Sequence, residues 1–151
     1  MDKRLKMLNI NLPDGWEDIS EDNPQGPPTF IDTTFGDSGV LQISTAEFLS
    51  GKIPNPSLTD LVDLSKNIGL KNEFGELQNE ESGNCAYGTF GCAQFSSLKF
   101  PHISIWHISE GENFIFATFI CSTVPTQKQV NDVKNILISI KRKSFLASLF
   151  A

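Results

Sequence analysis

His102 and His107 are the only imidazoles in the chain, so any histidine-dependent acid–base or Ser/His chemistry must run through one of them. If 102–108 is one strand, their odd separation places them on opposite faces, and they cannot act as a pair. No G-x-S-x-G precedes a helix, which leaves either histidine without a nucleophile elbow. Cys85, Cys92 and Cys121 have no C-x-x-C spacing, and a zinc site would need the histidines to complete it without any paired spacing. Cys85 and Cys92 also fall on opposite faces if one regular strand runs through both. The three are expected to be reduced, small core residues. Eighteen acids can pair in so many ways that their number carries no glycosidase signal. Gly36-x-x-Gly39 lacks the lysine and the helix of a phosphate loop, and Gly88-x-x-Gly91 lies in a strand-like segment. The sequence therefore offers no catalytic residue, no metal site and no cofactor motif.

Recognition is the chemistry that remains. Trp106 and His107 stand beside an acidic hairpin tip, Glu110 to Glu112, and an aromatic next to charge is a common interface anchor. Trp106 serves equally well as a core residue. Trp16, Phe90, Phe95, Trp106, Phe116 and Phe119 could line a cavity between sheet and helix, or could simply pack the interior. The net charge is −6, but it is uneven: Lys3, Arg4 and Lys6 stand at one end and Lys141, Arg142 and Lys143 at the other. Between residues 7 and 140 there are 17 acids against 6 bases. That argues against nucleic acid, which needs a basic face to release counterions, and suits a basic protein partner and plain solubility equally well. The two basic ends either form one patch or are solvated ends of terminal elements.

The 151 residues, 39% of them hydrophobic and twelve of them Phe, suit one globular domain over 1–151. No apolar run approaches the roughly 18–20 residues of a membrane span, and no signal-peptide core stands near the N-terminus, so a cytoplasmic protein is expected.

The elements follow from pattern. Residues 3–12 alternate loosely as a first strand, Pro13-Asp14-Gly15 turns the chain, and Trp16 anchors the next segment. After the loop 21–28, Thr29–Phe35 reads as a strand, Gly36–Gly39 as a hairpin turn, and Val40–Thr45 as its partner. Ser57 caps a helix with apolar residues at Leu58, Leu61, Val62 and Ile68, and Gly69 fits its stop. Residues 71–83 read as an exposed polar connection. Asn84–Phe95 mixes aromatics with glycines, which in a strand implies a bulge or the close approach of another element. Ile103–Ile108 is a further strand, and FIFATFIC (114–121) is apolar on both faces, as a strand covered from both sides would be. Thr126-x-x-Gln129 is a capping box opening a helix over Val130–Ile140, with Lys141–Lys143 in its last turn. The tail 144–151 is apolar enough to extend the helix, dock on its own domain or enter a neighbouring chain. The class is α+β: an antiparallel sheet covered by helices on both sides, a three-layer α/β/α sandwich.

This order resembles the PsbP-like fold, shared by the fungal Ran-binding nuclear import factor and many small bacterial proteins. The features that carry the resemblance are LPDGW (12–16), GVLQIS (39–44), SLTDLVDLSKNIG (57–69), WHISEGENFIFATF (106–119) and the closing helix (126–140). The resemblance implies a non-enzymatic protein-binding module of the toxin-immunity or secretion-adaptor type, with no shared catalytic set. A small-molecule or lipid carrier with an apolar pocket and an enzyme of unknown class stand as the alternatives.

Overall fold

The structure, a computed structural model, describes residues 7–35, 39–47 and 54–143. The expected features at 3–6, at the 36–38 turn and in the tail 144–151 lie outside those residues. Among the described residues, nine strands and two α-helices follow one another as β1 (Leu8–Asn9), β2 (Trp16–Asp18), β3 (Thr29–Asp32), β4 (Gly39–Glu47), α1 (Leu58–Lys71), β5 (Glu76–Asn84), β6 (Thr89–Ser96), β7 (His102–Ser109), β8 (Asn113–Cys121), α2 (Gln127–Ile138) and β9 (Lys141–Arg142). Seven strands form one antiparallel sheet in the order β2-β3-β4-β8-β7-β6-β5, and β1 pairs with β9.

The helices cover opposite faces of this sheet. Alternation along each strand decides which side chains each helix meets. On one face, Val133, Ile136 and Leu137 of α2 pack with Leu41, Ile43, Trp106, Ile108, Ile115 and Phe119, and Trp16 joins them. On the other face Ile68 of α1 meets Ala93, Phe95, Ile103 and Ile105. The result is the three-layer sandwich. Both helices start as the sequence directs. Asp60 N–H donates to Ser57 Oγ at 3.0 Å, and Ser57 N–H donates back to the Asp60 carboxylate at 2.9 Å. Thr126 and Gln129 form the same reciprocal pair, at 2.9 and 3.1 Å. Among the described residues, no helix is long and apolar enough to cross a membrane.

Several local expectations give way to tertiary context. The polar stretch 71–83 holds an edge strand, β5, most of it exposed, with a register shift between Leu77 and Asn79. Its polarity hid it, because an edge strand is held by the ladder to β6 and needs no apolar face. The helix α1 runs past Gly69 to Lys71. Gly69 is there for room: a Cβ would come within 2.1 Å of the Phe95 ring. The hairpin turn at 85–88 means that no single strand joins Cys85 to Cys92, and both pack on the α2 side with Cys121. The C-terminal helix stops at Ile138, and Lys141–Arg142 form β9 instead of a last helical turn. Thr33–Phe35 is a 3-10 turn closing β3, and among the described residues 7–12 of the first expected strand Leu8–Asn9 is the extended part. FIFATFIC is fully buried on the α2 face, while Phe114, Phe116, Thr118 and Ile120 on the other are half-buried, because α1 lies across β5, β6 and β7.

That seat has one requirement. At Gly91 of β6 a Cβ would fall 2.3 Å from the backbone N of Val62 and 2.4 Å from the backbone C of Leu61, so helix backbone and strand touch directly. At Gly83 of β5 the nearest atom to a Cβ is a Phe90 ring carbon at 3.3 Å. Gly91→Ala should therefore destabilise the fold by about 3 kcal/mol in urea unfolding. Gly83→Ala, tested beside it, should change stability by less than about 1 kcal/mol.

Candidate functional site

Strand β7 sends Trp106 and His107 to opposite faces. Trp106 is 3% exposed, packs on Phe90 with ring centroids 5.4 Å apart, and donates its indole N–H to Ser104 Oγ at 3.2 Å. It is part of the α2-side core. His107 points to α1, where its Nδ1 lies 2.8 Å from Ser65 Oγ and its ring 5.1 Å from Phe116. Ser65 has one hydroxyl hydrogen. Donated to the Gly91 carbonyl at 3.2 Å, it leaves the Nδ1–H of His107 to donate to the serine oxygen, which fixes the tautomer by hydrogen-bond counting. Burial pushes the His107 pKa down to about 4, so the ring is neutral at neutral pH.

A serine hydroxyl 2.8 Å from an imidazole nitrogen is the contact that a nucleophile and its base require. Access rules it out here. Ser65 is wholly buried between α1 and β6, and no substrate carbonyl can reach its oxygen. The pair ties the helix to the sheet. His102 lies on the other face, edge-on to Phe119 at 5.7 Å, and burial lowers its pKa as well. Among the described residues, no group of three or more Cys, His, Asp or Glu could hold a metal ion. Burial raises the thiol pKa of Cys92 and pushes that of Cys121 up to about 12, as for inert core cysteines.

Glu110 and Glu112 sit at the tip of the β7–β8 hairpin, where Gly111 takes φ +112°. Glu112 is exposed. Glu110 is a clamp. One carboxylate oxygen accepts the backbone N–H groups of Glu112, at 3.0 Å, and of Asn113; the other accepts Arg142 Nη2 at 2.6 Å and the Tyr87 hydroxyl at 3.1 Å. Burial works to raise its pKa, but the two amides and its side-chain partners outweigh it and hold the carboxyl below its usual range. The Arg142 guanidinium lies 6.0 Å from the Tyr87 ring centroid. Glu110 is thus brought together with Tyr87 and Arg142, not with Trp106 or His107. Neither partner carries a short-range sequence signal, since their meeting depends on β9 returning to β1.

That return also places residues 7–9 beside residues 141–143. Leu8 pairs with Arg142, and Lys143 N–H donates to the Met7 carbonyl at 2.7 Å. Lys3, Arg4 and Lys6 lie outside the described residues. Next to this ladder is a cavity of about 240 Å3 lined by Met7, Leu8, Ala46 and Phe114, with Tyr87 and Arg142 on its wall. Of the aromatics expected around a cavity between sheet and helix, Trp106 and Phe119 line one beneath α2. Trp16 and Phe90 pack in the core on that side, and Phe95 and Phe116 belong to the α1 side.

The acids are grouped by the topology. From residue 7 to residue 51 the chain has eight acids and neither Lys nor Arg. Four of them, Glu17, Asp18, Glu21 and Asp22, are exposed on edge strand β2 and the turn that follows it. Among the described residues none of these four is in an ion pair. At the opposite edge Glu80 is paired with Lys66 at 2.7 Å and Glu81 with Lys134. The β2 edge and its turn thus hold four exposed acids outside any ion pair among the described residues.

No protein-family model matches the chain, and no curated protein matches it. Solved structures do. The solution structure of cyanobacterial PsbP (CyanoP) from Synechocystis sp. PCC 6803 superimposes with a TM-score of 0.56 at 14% identity, covering 94% of this chain and 90% of that one. A crystal structure from Bacteroides thetaiotaomicron gives 0.54 at 14% identity, with 92% of this chain covering 46% of that one. The fold is PsbP-like.

The His107 contact makes a pH prediction. Its folded pKa is depressed, so its stabilising effect is complete above the unfolded value of about 6.5 and is lost as pH falls through about 4. The His107 ring protons should titrate near pH 4 by NMR. Across that window His107→Leu should lose less stability than the wild type, by on the order of 2–3 kcal/mol.

Proposed function

We propose that the chain is a single, non-enzymatic protein-binding domain that meets a basic partner through its acidic β2 edge. The PsbP-like fold supports a bacterial toxin-immunity or secretion-adaptor role, acting in the cytoplasm by occupying the partner's surface. The observation that carries the proposal is the unpaired acidic group Glu17, Asp18, Glu21 and Asp22 on an open sheet edge, in a segment without a single basic residue. Asp18 also accepts the Ser20 N–H at 2.9 Å, but among the described residues none of the four is in an ion pair, and exposed carboxylates attract cations over about a Debye length. The edge strand itself is short, so the partner is met by side-chain charge more than by an added strand.

The hairpin tip extends the surface at a second point. Glu112 is exposed there, while Glu110 is held in the clamp with Arg142. Trp106 and His107 stay beneath as packing.

A pull-down from the source cell at low and at high salt tests the proposal, using the wild type and Glu17→Gln/Asp18→Asn/Glu21→Gln/Asp22→Asn. The expected result is one basic protein retained by the wild type at low salt, released at high salt, and held about tenfold more weakly by the variant. Retention indifferent to both salt and the four substitutions would contradict it.

A further inference from the structure

Between the N-terminal half of α2 and strands β5, β6 and β7 lies a cavity of about 310 Å3. That is the small end of the roughly 300–1,000 Å3 usual for ligand pockets. Its wall is polar where the core around it is apolar. Asn79 and Gln94 present carboxamides, His102 an imidazole and Ser104 a hydroxyl. Among the described residues, the side chains of Asn79, Gln94 and His102 make no hydrogen bond within the chain. Ser104 is 2% exposed, and its oxygen accepts the Trp106 indole N–H. Its own hydroxyl hydrogen has no acceptor among the described residues. Ser104 is buried, Gln94 and His102 are half-buried and Asn79 is exposed, so the cavity presents hydrogen-bonding groups to whatever enters it from solvent.

Charge and shape narrow those contents. Glu81 and Lys134, the two ionised side chains among the described lining residues, are paired with each other, and burial keeps His102 neutral. A charged ligand would find no counter-charge free to meet it. An apolar ligand would leave the carboxamides and the hydroxyl unsatisfied. A flat aromatic needs an open ring face to stack on, and Trp106 and Phe119 are only 3% and 1% exposed. A carboxamide carries a donor and an acceptor side by side, which matches hydroxyl groups on neighbouring carbons, each both donor and acceptor.

We propose that this cavity binds a neutral, polyhydroxylated ring of monosaccharide size, its hydroxyls met by Asn79, Gln94, His102 and Ser104. The site is separate from the β2 edge, and its occupancy does not depend on the partner proposed there.

The test uses the full chain, 15N-labelled, titrated with D-glucose, D-galactose, D-mannose, N-acetyl-D-glucosamine and myo-inositol to about 50 mM each. At least one is expected to give saturable shifts at the amides of residues 79, 94, 102 and 104, with a Kd at or below about 1 mM. Gluconate and hexanol, as charged and apolar controls, should give none there. Gln94→Leu and Ser104→Ala should each weaken binding about tenfold while leaving amides remote from the cavity unshifted. Asn79→Ala, on the exposed edge strand, keeps the test decisive if an inner variant fails to fold. No saturable shift from any of the five, shifts that map elsewhere, an equal response to either control, or unchanged affinity in every folded variant would overturn the proposal.

Discussion

Helix α1 lies on β6 at backbone contact, and this is possible only where the strand has no side chain. Gly91 supplies that gap, and Gly69 on the helix supplies a second one for the Phe95 ring. The short distance brings Ser65 within reach of both the Gly91 carbonyl and His107, so two buried polar side chains satisfy each other where apolar groups would not fit. With one face closed this tightly, α2 closes the other through its apolar stripe, and β6 and β7 are buried from both sides. The residues of β7 that look chemical in the sequence are consequently divided between two interiors. Function is left to the places the helices do not seal: the sheet edges, the hairpin end and the polar cavity under α2.

The parts of the fold written in local chemistry were legible. Ser57 with Asp60 and Thr126 with Gln129 announce both helices because a capping box is a short-range pattern. The odd spacing of His102 and His107 was sufficient to place them on opposite faces. The mixture of small residues around Gly91 pointed to a close approach, and α1 makes it. What could not be read depends on distant partners. Strand β5 is polar on nearly every residue and exists through its ladder to β6. The basic run at 141–143 suits a helix end, but it pairs with β1, across almost the whole sequence. Glu110 looked like a free acid at a hairpin tip, yet Tyr87 and Arg142 converge on it from two other elements. Burial likewise removed Trp106 from any recognition edge, since nothing local distinguishes a core tryptophan from an exposed one.

The charge pattern gained most from the topology. Seventeen acids between residues 7 and 140 describe a composition; the sheet order turns them into a surface. At the β5 edge, lysines from α1 and α2 reach across and neutralise Glu80 and Glu81. At the β2 edge, Glu17, Asp18, Glu21 and Asp22 are in no ion pair among the described residues, and residues 7–51 contain neither Lys nor Arg. Glu76 on β5 is also exposed and in no ion pair among the described residues, so the two edges differ in how many of their acids are paired.

Native-state hydrogen exchange tests most directly whether the contact between α1 and Gly91 organises the whole. If it does, the inner amides of α1 and those of β6 and β7 exchange through one opening whose free energy equals that of global unfolding. Exchange from α1 through a cheaper, separate opening, with β6 and β7 still protected, would show that the sheet stands without its helix and contradict the account.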